Sequence, residues 1–267
     1  LGPYIVDYPE QVWLAGIVQN CCEAIPDNLD DLKALPCCHH KREFLITNFD
    51  PGIIWDNYGF RADVIPFTHY FPRANIHILL MPDLLYQLIK GTFKGHLVMW
   101  VQEYLELKYG KAGKPNHTAM VSAVSTCPGL RLFPDGQDFS QWMGDDSKAF
   151  MKVCLAAIKS PVLDDMVECV HGFVECCYIA RCNAITASDL NTFKQHLEQF
   201  HQLQNVFMLQ YQCQHALMHY TSKIKQFASS NGVCSSIMES THISAVKEPW
   251  QCRESILEYT RIISVFV

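Results

Sequence analysis

An apolar stripe behind Pro82 constrains this chain more than any other feature. Leu84, Leu85, Leu88, Ile89, Leu97 and Val98 return at helical spacing, and a long amphipathic helix hides such a stripe from water. The start of that helix is marked as well. Pro82 suits a first turn, where its missing N–H would be unpaired in any case. Asp83 places a negative charge at the positive end of the helix dipole. The stretch in front, PFTHYFPRANIH from Pro66 to His77, is polar and carries His69 and His77. The pattern predicts a helix over 83–109, ended by the Gly- and Pro-bearing run GKAGKP at Gly110–Pro115.

The same periodicity recurs along most of the chain. It predicts helices over 9–20, 41–46, 139–158, 163–181, 188–206, 211–227 and 233–247. Pro3–Val6 is a short apolar run ending at Asp7, and it reads as a strand tip. Residues 48–62 hold Pro51, Gly52, Asn57 and Gly59 and read as turn-rich. The expected fold class is therefore mainly α with a small β element. Nearly half of the 267 residues are apolar (49%), enough for a sizeable core. No apolar run reaches the length of a membrane span. LGPYIVDYPEQ has no basic segment and carries acids early, so it is no secretory leader. It also lacks an initiator Met, and the chain reads as a piece of something longer. The net charge of −6 argues against a broadly basic DNA-binding surface, though a local patch is compatible with it.

Thirteen cysteines include the doublets Cys21–Cys22, Cys37–Cys38 and Cys176–Cys177. Adjacent cysteines suit an ordered disulfide framework poorly, and without a leader they read as reduced thiols. Cys154, Cys169, Cys176 and Cys177 fall inside helical patterns and are expected to be buried as small hydrophobes. Cys37, Cys38, His39 and His40 offer zinc ligands in number. A bound zinc is nevertheless not the expectation. Asp145 and Asp146 open a predicted helix, where capping is the expected role.

Several stretches of unusual composition go together: DYPEQ at Asp7–Gln11, QLIKGTFKGHL at Gln87–Leu97, QWMGDDSKAFMKV at Gln141–Val153 and CSSIMESTHISAVKEPW at Cys234–Trp250. Together they resemble the transposases of basidiomycete Plavaka elements, relatives of the CACTA-type DDE transposases. The resemblance runs over Leu1–Trp250 and implies the C-terminal portion of the catalytic region. It implies a partial RNase H-like α/β fold with a large helical insertion. Residues 1–65 would be a remnant of that core with a Cys/His loop, and 66–228 the insertion. Residues 229–250 would be a core helix carrying the last acid, and 251–267 a divergent tail. The activity implied is Mg²⁺-dependent DNA cleavage and strand transfer in the nucleus, with DNA as partner and self-association as an option. No membrane is implied.

In that family three carboxylates hold two Mg²⁺ ions, because this ion takes hard oxygen ligands. The resemblance makes Asp7 the second acid and Glu239 the third. The first would lie upstream of Leu1. Asp83, His242 and Lys247 are possible accessories. Read without the resemblance, Asp7 is a helix cap and Glu239 part of a solvated helix face. Two departures stand out. The family's Cys-Pro-x-Cys motif reads Asn20-Cys21-Cys22-Glu23 here, and its Asp-x-x-His signature reads Asp83-Leu84-Leu85-Tyr86. His69 and His77 match family positions and read equally well as hydrogen-bonded core imidazoles. The expectation is a chain that descends from a DDE transposase and is catalytically inactive, its Mg²⁺ ancestral rather than functional. The alternative is a non-catalytic helical module for protein or DNA contact.

Overall fold

The computed structural model describes residues 3, 8–17, 39–71, 74–110, 118–119, 121–123, 130–133, 142, 144–207, 215–247 and 249–250. These residues are helical nearly throughout. Helices α1 (Tyr8–Ala15), α2 (His39–Asn48), α3 (Pro51–Tyr58) and α4 (Ile76–Leu79) come first. A wide π-helix over Leu84–Val98 runs without a break into α5 (Met99–Tyr109). Then follow α6 (Gly144–Met151), α7 (Cys154–Ile158), α8 (Asp164–Ala180), α9 (Ala187–Leu203), α10 (His215–Phe227) and α11 (Ser235–His242). A π-helical turn at Ile243–Lys247 extends α11.

This corrects the expected fold class. Among the described residues there is no β-strand and no sheet, so neither the small β element nor the partial RNase H-like α/β fold is found. An isolated antiparallel bridge joins Ile17 to Phe60. A ladder needs a run of backbone partners. Here the chain turns away on both sides, into α1 before Ile17 and into α3 before Phe60. The strand expected at Pro3–Val6 lies outside the described residues, apart from Pro3 itself, which has no regular structure.

The π-helix explains the stripe. Its buried residues fall in groups at Leu84–Leu85, Leu88–Ile89, Thr92–Phe93 and Leu97–Val98. Three turns between the first and last groups require about 4.3 residues per turn, wider than the 3.6 of an α-helix. An α-helix would carry the last pair away from the core.

The buried residues form two clusters. The large one is built on the π-helix and helices α5–α10. Phe150 is one centre of it, with the rings of Phe93, Phe133 and Trp142 at 6.2, 5.5 and 5.4 Å. Helices α8 and α9 lie antiparallel along their lengths. The Cys169 thiol donates to the Phe200 carbonyl and the Cys176 thiol to that of Phe193. Between them Gly172 lets the backbones close, since a Cβ there would stand 3.0 Å from the His196 carbonyl oxygen.

The small cluster gathers Val12, Ala15, Ile17, Leu45, Ile54, Phe60, Ile76 and Leu80. Arg42 ties it together. Its buried guanidinium donates to the carbonyls of Ala15 (2.5 Å), Arg61 (2.9 Å) and Val64, and stands over the Phe60 ring. Helix α3 falls in the stretch expected to be turns. Asp50 caps its start, Pro51 opens it and Gly59, at φ +64°, ends it.

Gly172→Val should destabilise the fold by about 1–3 kcal/mol, because the added carbons must push α8 off α9. Urea unfolding followed by helical circular dichroism measures it.

Candidate functional site

Among the described residues, the densest polar construction surrounds the segment from His77 to Asp83. Most of it is buried and, beyond the short α4, outside any helix. Its carbonyl oxygens therefore need partners from elsewhere. Two helices supply them. Lys223 on α10 is 5% exposed, and its ammonium donates to His77 O (2.9 Å), Ile78 O (2.8 Å) and Leu80 O (2.7 Å). These carbonyls lie at the C-terminal end of α4, where the dipole favours a cation. One turn earlier on α10 the Tyr220 hydroxyl donates to Pro82 O at 3.1 Å. From α1, Gln11 Nε2 donates to Met81 O at 2.7 Å.

Asp83 closes the segment. It is 1% exposed. One carboxylate oxygen accepts the Tyr86 N–H at 2.6 Å and so caps the π-helix. The other accepts the Ser235 N–H at 3.0 Å, at the first residue of α11. Burial holds the Asp83 carboxyl above the ordinary carboxylate range, against the opposing pull of these two N–H groups. Its charge in turn adds to the burial that raises the Tyr220 hydroxyl and the Cys234 thiol. Lys223, Tyr220 and Gln11 carried no sequence-based expectation. The readable signal was a lysine on the apolar face of α10, among Leu217, Tyr220, Ile224 and Phe227.

The expected site residues are placed as follows. Asp7, Cys37 and Cys38 lie outside the described residues, as do Cys21 and Cys22. Glu239 and His242 fall in α11, Lys247 in the turn that extends it and His39 at the start of α2; the side chains of these four are outside the described part. His40 is exposed on α2. His69 is partly exposed, its Nδ1 3.8 Å from Glu43 Oε1. His77 is buried with its ring edge-on to Phe60 at 5.9 Å. Asp145 and Asp146 sit in the first turn of α6, where Asp145 pairs with Lys148 and Asp146 with Arg131. Cys154, Cys169, Cys176 and Cys177 are buried free thiols. Burial pushes the first three up to about 12 and Cys177 well above its ordinary value.

Among the described residues no group of three or more His, Cys, Asp or Glu could hold a metal ion. Of the two buried carboxylates described, Asp83 already has both oxygens on backbone N–H groups and Asp146 is paired with Arg131. The carboxylates expected to hold Mg²⁺, those of Asp7 and Glu239, are not among the described side chains. No described helix is long and apolar enough to cross a membrane.

Two outcomes follow from this geometry. Lys223→Met should cost on the order of 2–4 kcal/mol, because three carbonyls, two of them buried, lose their donor; urea unfolding measures it. For Asp83 the folded value is raised above 3.8. Within that window the folded chain holds the proton more tightly, so stability falls as pH rises from 3.8 through the folded value. Asp83→Asn should remove this slope when unfolding is repeated across pH.

A family model described as Plavaka transposase matches residues 1–101. No curated protein and no solved structure matches the chain. The match corrects the expected extent and place of the resemblance. It lies in the N-terminal part of the chain rather than running to Trp250, so it does not support the C-terminal portion of the catalytic region. DYPEQ and QLIKGTFKGHL fall inside it, whereas QWMGDDSKAFMKV and AVKEPW do not. Over residues 1–101 the chain thus has a family-level link to Plavaka-type transposases.

Proposed function

We propose that this chain descends from a DDE-type DNA transposase and that its own role is to hold DNA rather than to cut it. The observation that carries the reading is the family match over residues 1–101. That span includes the π-helix over Leu84–Val98. On a helix wound this widely, Tyr86, Lys90 and Lys94 fall along one line. The Lys90 ammonium stands 4.5 Å from the Tyr86 ring centre, and that of Lys94 stands 5.8 Å from the Trp142 ring centre. Alternating cations and rings suit a nucleic-acid strand, the cations meeting phosphates and the rings meeting bases. In this reading Asp7 and Glu239 are the inherited acids, and His242 and Lys247 accompany Glu239. Nuclear location and self-association belong to the same proposal.

A second reading, a module for protein contact, is favoured by exposed Trp13, Phe44, Trp55, Tyr70 and Phe71 on and beside the small cluster.

DNA titration separates the two. The purified chain should bind DNA with an affinity that falls as salt rises. Lys90→Ala with Lys94→Ala should lower the log–log salt slope by about 2, one per lost phosphate contact. Supercoiled DNA with Mg²⁺ or Mn²⁺ should remain intact. Cleavage above a protein-free control, abolished by Glu239→Ala, would overturn the non-cutting role. Absence of salt-dependent binding moves the protein-contact reading to first place.

A further inference from the structure

We propose that Asp83 is the positioning residue for the helix that carries Glu239. Helix α11 begins at Ser235, and the residue before it is Cys234. Cysteine is not among the side chains that cap helices well. The cap is supplied instead from 152 residues away, by the Asp83 oxygen that accepts the Ser235 N–H. Glu239 lies four residues beyond Ser235, about one turn along the same helix. The other Asp83 oxygen fixes the start of the π-helix that carries Lys90 and Lys94. One buried carboxylate therefore sets the starts of two helices at once, and both helix dipoles favour its charge. The segment in front of it is held by Lys223, Tyr220 and Gln11, so Asp83 has little room to move. The proposed DNA-contact line and Glu239 are thereby kept in one frame.

This inference rests on the reading of Glu239 as a site residue, but its test does not. Backbone amide hydrogen exchange is measured on the full chain, wild type and three variants. Asparagine has one acceptor oxygen where aspartate has two. Asp83→Asn should therefore keep one of the two helix starts protected and speed exchange at the other roughly tenfold, the ordinary loss of a cap. Ser235→Pro removes the N–H donor on α11 together with the buried Ser235 hydroxyl, and leaves the Tyr86 side of Asp83 intact, at a first position that tolerates proline. It should speed exchange across 235–242 and leave 84–98 as it was. Glu239→Gln should change neither segment. Helix α8 serves as the internal reference and should be unaffected throughout. Unchanged exchange over 235–242 in Ser235→Pro, or a uniform rise that includes α8, overturns the proposal. A chain with the expected exchange pattern but no salt-dependent DNA binding sinks the functional reading and leaves this coupling in place.

Discussion

Everything in this molecule hangs on how the backbone from His77 to Asp83 is kept dry. A helix satisfies its own peptide groups, and a sheet satisfies them through neighbours. This segment, beyond the single turn of α4, has neither. Its carbonyls are met by an ammonium, a phenol and a carboxamide reaching in from α10 and α1. Ile76 and Leu80 meanwhile pack into the small cluster, and Met81 and Leu84 into the large one. The segment is therefore the seam between the two clusters, and polar contacts rather than apolar area decide how it runs. Apolar packing is tolerant of small slips. A lysine bonded to three named carbonyls is not, because each slip strands a buried acceptor.

Most helices were legible because their buried faces repeat at the α period. The expected helix over 163–181 became Asp164–Ala180, and that over 188–206 became Ala187–Leu203. The stripe behind Pro82 was legible as a helix with Asp83 as its cap, but its width was not read. Thr92 and Phe93, left out of the stripe, complete a spacing that only wider winding can align. Helix α3 was missed for a different reason. Its Pro and Gly were read as breakers, although Asp50-Pro51 at one end and Gly59 at the other are start and stop signals.

The site was less legible than the fold. Asp83 was identified at a helix start, and its link to Tyr86 is local. Its second partner, Ser235, lies far along the chain, and no periodicity records such a pairing. Lys223 shows the same limit. A lysine on an apolar face signals burial, yet nothing in the sequence says which carbonyls receive its three protons. Among the described residues no strand is found, and an apolar run of strand length says nothing about whether a partner strand exists.

The buried thiols along α7 and α8 have a consequence for the chemistry of the bundle. With Cys154, Cys169 and Cys176 raised to about 12, only about one thiol in 10⁵ is ionised at neutral pH. Thiolates, not thiols, attack disulfides, take up soft metals and react with peroxide. A chain this rich in cysteine looks like a redox sensor by count alone. These side chains behave instead as methyl-sized packing units. For as long as the helices around them stay folded, these buried thiols are shielded from the redox character of the surroundings, unlike the exposed Cys182 just beyond α8.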